Sequence, residues 1–172
     1  TYPEPVHTLT TPKATPGGLA SQYSSLGHYD LTPVDGVEQA LIVTVPVCDA
    51  APYQAIQIGS PWYISTDYEH HQSGMNRAQS HVDPDGMMRF VISESNPGVA
   101  NWLETCGNLK GVTMLRWQRT SRDLTEADAP TIEVVGFDEV GKRLPFDQSI
   151  TPEAWARKIE ERQVGVARRM LS

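Results

Sequence analysis

The fold class is indicated most clearly by one run, Asp83-Pro84-Asp85-Gly86-Met87-Met88-Arg89-Phe90-Val91-Ile92-Ser93. Its first four residues have the chemistry of a hairpin turn, because proline presets one backbone dihedral and glycine admits a positive φ. From Met87 onward the side chains alternate, with Met88, Phe90 and Ile92 on one face. A period of two is typical of a β-strand with one face on a core.

Similar strand patterns lie on both sides of this run. The residue ranges 40–45, 53–58, 112–118 and 131–135 are rich in β-branched or alternating apolar residues, and Gly or Pro separates them. The continuous apolar character of 40–45, which Pro46 stops, predicts burial on both faces. Asn96-Pro97-Gly98 predicts a second turn, Trp62–Ser65 a further short strand, and 66–81 an irregular polar segment. Together these elements predict an all-β, antiparallel β-sandwich or jelly roll.

The end of the chain has a helical pattern instead. Thr151 is a suitable N-cap, Pro152 suits the first turn, and Glu153 suits the positive end of the helix dipole. Apolar residues then recur near helical spacing at Trp155, Ile159, Val166 and Met170. We therefore predict one amphipathic helix over 151–171, packed on the sandwich or on a partner.

Composition suggests a single domain over 19–148 followed by this helix. The first eighteen residues carry four prolines and a Gly-Gly pair, so 1–18 is interpreted as a linker-like segment. Because the chain starts at Thr1 without a methionine, we expect an upstream domain or chain of the same protein. No apolar run approaches the roughly 20 residues that cross a bilayer. No secretory leader is visible either, so the cytoplasm is favoured over export.

The net charge and the spacing of the histidines limit the classes of partner and ligand that we expect this chain to bind. Fourteen basic residues against twenty-one acidic ones give a formal charge of −7, which argues against nucleic acid as a partner. His70 and His71 are adjacent, and no HExxH motif is present, so we expect no metal and no cofactor. Cys48 and Cys106 are expected to be buried free thiols, and a single disulfide between them is left open.

Candidate site residues concentrate in the polar segment 62–81 and just after the second turn. For catalysis, His81 is the candidate base, and Asp67 or Arg77 would orient a substrate or stabilise charge. For binding, aromatic and amide side chains would stack on or hydrogen-bond a flat polar ligand. The candidate ligand-binding residues are Trp62, Tyr68, Asn76, Asn101 and Trp102. The tryptophans are equally compatible with core positions, and the polar residues with hydrogen bonds that hold the loop.

Several of these motifs together resemble a bacterial domain-of-unknown-function family numbered 1214. The resemblance covers about 21–118, and its most specific motif is Pro97-Gly98-Val99-Ala100-Asn101-Trp102-Leu103. It implies a jelly-roll-like domain at the carboxyl end of larger uncharacterised bacterial proteins, and it implies no established activity. Many members have a small Ala-Gly segment where this chain has Glu104-Thr105-Cys106-Gly107. That departure suggests that Cys106 occupies a sterically tight position rather than a reactive one.

Three hypotheses for function follow from these observations. The leading one is a ligand-binding or accessory domain for a carbohydrate or another small polar metabolite. The second is a hydrolase or lyase that uses His81, Asp67 and Arg77. The third is a structural role, in which the terminal helix contacts an upstream domain or another copy in a homo-oligomer.

Overall fold

The computed structural model describes residues 4–15 and 22–171. Its strands are β1 (Lys13–Ala14), β2 (Tyr23–Asp30), β3 (Gln39–Pro46), β4 (Tyr53–Gly59), β5 (Gly74–Asn76), β6 (Met87–Ser93), β7 (Trp102–Glu104), β8 (Lys110–Gln118) and β9 (Thr131–Gly136). The helices are α1 (Val140–Arg143) and α2 (Pro152–Met170). One sheet has the order β1-β2-β8-β4-β5 and the other β7-β6-β3-β9. Neighbouring strands are antiparallel except β6 and β7, which confirms the predicted β-sandwich with a carboxyl-terminal helix.

The main core lies between the two sheets. Met88, Phe90 and Ile92 of β6 all belong to it, as the alternating pattern predicted. Leu115 and Trp117 of β8 belong to the same cluster, and both are almost fully buried. The predicted alternation of β4 is also confirmed, because Ile56 and Ile58 are buried while Gln57 is exposed.

A second, smaller core covers the outer face of the four-stranded sheet. Ala40 and Ile42 of β3 contribute to it from the face opposite Leu41 and Val43. Val140 and Trp155, from the carboxyl-terminal part of the chain, pack over them. Strand β3 is therefore buried on both faces, as its continuous apolar sequence predicted.

The predicted strand over Trp62–Ser65 is wrong, because this segment forms a tight loop. The Ser60 hydroxyl lies 3.3 and 3.4 Å from the backbone N–H groups of Trp62 and Ile64, which donate to it. The backbone N–H of Ser60 also donates to Ile64 O at 2.8 Å, and Tyr63 has a φ of 60°. These short-range bonds hold the backbone in a turn that cannot join a sheet ladder.

The polar segment 66–81 contains more regular structure than its composition predicted. Strand β5 pairs with β4, and a 3-10 helix over Arg77–Gln79 follows it. The Asn76 side chain accepts the N–H of Gln79, and the Gln79 side chain accepts the N–H of Asn76. This reciprocal capping fixes the end of β5, and three-residue elements of this kind leave no periodicity to detect.

Both predicted turns are confirmed. Gly86 has a φ of 80° and donates its N–H to Asp83 O at 2.9 Å. The Arg89 guanidinium holds the turn from the following strand, at 2.5 Å from Asp83 Oδ2 and 2.7 Å from Asp85 Oδ2. The flanking strands β5 and β6 lie in different sheets, so this turn starts β6 instead of closing a hairpin. Gly98, with a φ of 73°, donates its N–H to the Asn96 side chain at 2.7 Å.

The segment predicted to be linker-like, 1–18, lies on the sandwich over its described residues 4–15. Strand β1 pairs with the start of β2, and the N–H of His7 donates to His28 O at 2.7 Å. The approach is close, since a Cβ on Gly27 would lie 1.8 Å from Thr8 O. Over these described residues the backbone therefore bonds to β2. Residues 1–3 and 16–18 lie outside the described residues.

Helix α2 begins where the sequence predicted. The Thr151 hydroxyl accepts the N–H of Ala154 at 3.2 Å, and Pro152 occupies the first turn. The helix packs on the sandwich through Trp155, whose ring centroid lies 5.0 Å from that of Trp102 in β7. Across the described part of the chain, no helix combines the length and apolar character that a membrane span requires.

An ion pair beside the main core gives the fold a pH-dependent contribution. Both terminal nitrogens of Arg122 donate to the buried Asp128 carboxylate, at 2.7 and 2.8 Å. The Arg122 side chain, with a further N–H from Thr125, lowers the pKa of Asp128 to about 2 from 3.8. Since the pKa is depressed in the folded state, its stabilisation is complete above about pH 4 and is lost as pH falls towards 2.

We expect Asp128→Asn to lower the free energy of unfolding at pH 7 by about 1–2 kcal/mol, because Arg122 is half exposed and solvent screens the pair. The difference between the variant and the wild type should shrink between pH 4 and pH 2. Urea unfolding at several pH values measures both quantities. Glu126→Gln, a substitution at an exposed carboxylate two residues earlier in the same loop, serves as the comparison variant. An unfolding difference for Asp128→Asn that stays constant down to pH 2 would contradict the assignment.

Candidate functional site

A large cleft lies between α2 and the β4–β5 side of the five-stranded sheet, and we call it the α2 cleft. Its volume is about 860 Å³, within the range of small-molecule sites. Its sheet side includes Tyr53, Gln57, Tyr68, Gln72, Asn76 and Gln79, and its helix side includes Lys158, Glu161, Arg162, Gly165 and Arg169.

The cleft exists because α2 crosses the open side of the sandwich. Near its start the helix contacts β7 through Trp155, and Lys158 Nζ donates to Ala100 O at 2.6 Å. One turn later, an Arg162 Nη donates to Gly74 O in β5 at 2.6 Å. The helix therefore touches an edge strand of each sheet and forms a wall beside the polar surface of β4 and β5.

Gln72 joins the two sheets at the base of this arrangement. Its side-chain NH₂ donates to Trp102 O at 2.6 Å, and its backbone N–H donates to the Glu104 carboxylate at 2.8 Å. The residue is completely buried, yet its side-chain oxygen receives no hydrogen bond within the described ranges. A buried acceptor without a donor carries a desolvation cost.

The edge of β5 is closed to strand addition. Gly74 O accepts from Arg162, the N–H of Asn76 donates to the Gln79 side chain, and Asn76 O accepts from Ser80 Oγ. Because these backbone groups already have partners, an extended peptide has little to pair with at this edge. The chemistry of the cleft therefore depends on side chains.

On the helix wall, the spacing of the charged residues places them on one face. Five residues of α2 line the cleft, and all lie on one helical face because each is three or four positions from another. They are Lys158, Glu161, Arg162, Gly165 and Arg169. Gly165 has open space around its Cα, since an added Cβ would meet nothing within 4 Å. A mid-helix glycine costs roughly 1 kcal/mol relative to alanine, and here its missing side chain leaves the centre of the wall open.

Burial weakens the basicity of the two cations that anchor the helix. Burial, and then the neighbouring Arg162, lower the pKa of Lys158 to about 8 from 10.5. Burial also lowers the pKa of Arg162, while Glu104 partly opposes that shift. Both shifts have the same cause: positive charge is held in partly desolvated surroundings without enough nearby negative charge.

The predicted ligand-binding residues have different locations. Tyr68 and Asn76 line the α2 cleft. Trp62 is 82% exposed, on the loop that follows β4, and is not part of the lining. Trp102 is only 6% exposed and donates its ring N–H to Ser93 O at 3.1 Å. Asn101 is completely buried and bonds both backbone groups of His81, so its contacts are internal.

The three predicted catalytic residues contact different groups. Asp67 accepts the backbone N–H of His70 and pairs with its ring at 3.0 Å. Arg77 donates to Cys48 O at 3.1 Å. His81 Nε2 lies 3.3 Å from Asp83 Oδ1. Within the described ranges no hydrogen bond links Asp67, Arg77 and His81 to one another, and none of the three lines the cleft.

The two cysteines are both free thiols, as expected. Cys48 is buried, whereas Cys106 is only partly buried. Burial, followed by the charges of Glu104 and Asp67, raises the pKa of the Cys106 thiol to about 11 from 9.0. Its φ of 52° is uncommon for a residue with a side chain. A raised pKa keeps the thiol protonated at neutral pH, which agrees with an unreactive position.

No cluster of three or more His, Cys, Asp or Glu side chains suited to a metal ion occurs among residues 4–15 and 22–171. Lys158, Arg162 and Arg169 were not among the predicted site residues, and Arg169, in the last turn of α2, is also explained by the helix dipole. One signal was available: Lys158, Arg162 and Arg169 fall on one helical face. That face could be recognised as a site only with β5 beside it.

Comparisons with known proteins identify similar folds. No family model matches this chain, and no curated protein matches it. An uncharacterized protein from Burkholderia cenocepacia has a similar structure, with a TM-score of 0.66 and 24% identity over 77% of this chain and 36% of that one. The VPA0106 protein from Vibrio parahaemolyticus matches with a TM-score of 0.49 and 14% identity over 65% of this chain and 30% of that one. The chain thus spans about a third of each neighbour, and the Burkholderia protein shares its fold.

Proposed function

We propose that this domain binds a small polar molecule in the α2 cleft. The observation that carries the proposal is the coincidence, in one cleft of about 860 Å³, of the cationic side chains of Lys158 and Arg162 with the amide side chains of Asn76 and Gln79. Small-molecule sites commonly combine a concave surface of this size with a few polar groups that orient the ligand. A carbohydrate, or another compact metabolite with several oxygens, suits this lining.

The test is a ligand titration with a variant that blocks the cleft. Calorimetry and thermal unfolding would follow the wild type against separate panels of neutral sugars, carboxylates and phosphates. Gly165→Leu places an apolar side chain in the open centre of the helix wall, where no atom lies within 4 Å of a new Cβ. We expect it to weaken binding at least tenfold for every ligand that the wild type binds, without lowering the unfolding temperature.

Val164→Leu is the matched control, because Val164 is an exposed neighbour on the same helix and does not line the cleft. It should bind like the wild type. Equal affinities for the wild type and Gly165→Leu would place the ligand elsewhere. A wild type that binds no member of any panel would remove the support for a binding function.

We also propose that the chain is one domain of a larger bacterial protein of the family that its motifs resemble. The motif from Pro97 to Leu103 supports this proposal, and so does the fact that the chain spans 36% of the Burkholderia protein. An antibody raised against the domain should detect a native protein well above 19.0 kDa in extracts of the source cells. A native band at the mass of the domain itself would contradict the proposal.

A further inference from the structure

Lys158 and Arg162 differ in their partners from five other cations of the protein. Arg89, Arg122, Lys110, Lys142 and Arg143 each lie within ion-pair distance of a carboxylate. Lys158 and Arg162 instead donate to single backbone carbonyls, Ala100 O and Gly74 O. Neither has an ion-pair partner in the described part of the chain, although acidic residues outnumber basic ones by twenty-one to fourteen.

Their charge is therefore incompletely compensated at a partly buried position. Besides these two cations, the side of the cleft that α2 forms carries the Glu161 carboxylate, which lies within ion-pair distance of neither. Glu104 acts on Arg162 from the β7 side without an ion-pair contact. Holding two cations out of water without a counter-ion is unfavourable, and a bound anion would remove much of that cost.

Neutral donors face the same cleft. Asn76 and Gln79 use their side-chain oxygens to accept each other's backbone N–H groups, so the capping pair fixes the orientation of both amides. Neither of the two side-chain NH₂ groups has an acceptor among the described residues. Both residues line the cleft, and with these oxygens occupied their free groups are donors.

We propose that the ligand of the α2 cleft carries an oxyanion, a carboxylate or a phosphate, which Lys158 and Arg162 bind together with the amide donors of Asn76 and Gln79. The inference rests on the proposed binding function and specifies the class of molecule. Lys158 and Arg162 are four residues apart on α2, so their side chains emerge on the same face. A guanidinium has five N–H donors, and one Arg162 bond goes to Gly74, which leaves others for the oxygens of a planar or tetrahedral anion.

The experiment compares two charge-removing variants with a matched control. Calorimetry would use inorganic phosphate, citrate, succinate and, as a neutral probe, glucose. Arg162→Gln and Lys158→Gln each remove one charge from the cleft and retain a hydrogen-bond donor. Arg157→Gln removes the same charge from an exposed position on the same helix, outside the lining. Thermal unfolding and circular dichroism would establish that each variant is folded.

The wild type should bind phosphate or a carboxylate, and the relative affinities of phosphate, citrate and succinate decide which oxyanion the cleft accepts. We expect Arg162→Gln and Lys158→Gln each to weaken that binding at least tenfold, while Arg157→Gln leaves it unchanged. Binding of glucose alone would overturn the oxyanion inference and leave the binding function standing. Equal affinity of a folded Arg162→Gln for the anion would also overturn it. No binding by the wild type, in this set and in the wider panels, would overturn both proposals.

Discussion

Replacing Trp102 with alanine should lower the free energy of unfolding by about 3–5 kcal/mol, as expected for removal of a buried tryptophan. The indole is 6% exposed, packs against Trp155 with ring centroids 5.0 Å apart, and donates its N–H to Ser93 O. The substitution opens a cavity, removes the indole donor from Ser93 O, and removes the ring contact between Trp102 and Trp155 at the start of α2. Urea unfolding followed by circular dichroism measures the loss.

Trp62→Ala is the matched control, because Trp62 is 82% exposed. It should change the free energy of unfolding by no more than about 0.5 kcal/mol. The sequence predicted both tryptophans as candidates for a ligand-stacking surface. Comparing the two substitutions distinguishes a core tryptophan from an exposed one. Similar unfolding curves for Trp102→Ala and the wild type would contradict the core role of Trp102.

Replacing Asn101 with alanine should lower the free energy of unfolding by about 2–3 kcal/mol, because it leaves two backbone groups without partners. The Asn101 side chain accepts the His81 N–H and donates to His81 O, both at 2.8 Å, and the residue is completely buried. The amide thus holds the backbone that leads into the Asp83–Gly86 turn. Chemical denaturation quantifies the effect, and hydrogen exchange at the His81 amide should become faster.

His81→Ala is the comparison variant, at the residue whose backbone Asn101 bonds. It keeps the backbone groups that Asn101 bonds and removes only the ring beside Asp83. We expect a smaller loss of stability than for Asn101→Ala. An Asn101→Ala protein with wild-type stability and lost ligand binding would contradict the structural role and restore Asn101 as a binding residue.

Local sequence patterns predicted β3, β4, β6, β8 and β9, because each of these five strands carries its own signal. The alternation over Met87–Ser93, the apolar run of β3 and the glycines at 86 and 98 specify backbone conformation within a few residues of themselves. The Thr151-Pro152 start of α2 is equally local. Short elements such as β5 and β7 escaped prediction, since three residues show no period and their pairing depends on distant strands.

The candidate site was less predictable for a related reason. Segment 62–81 was predicted to hold site residues because of its aromatic, histidine and polar residues, and two of the predicted ligand-binding residues, Tyr68 and Asn76, do line the cleft. Asn101 and Trp102 resemble ligand-binding residues in composition but make internal contacts. Whether a polar or aromatic side chain faces a ligand or the interior is a property of its neighbours, and those neighbours lie far away in sequence.

The pattern of turns, alternating strands and a capped helix was sufficient to define a β-sandwich with a terminal helix, because those features depend on interactions between residues close in the chain. The cleft required the folded molecule. Arg162 reaches Gly74 across 88 positions and Lys158 reaches Ala100 across 58, so only the packing of α2 against both sheets brings the cations to the amides of Asn76 and Gln79. Long-range packing places Lys158 and Arg162 beside backbone carbonyls and out of ion-pair distance of any carboxylate among the described residues, and this is the basis of the proposed anion site.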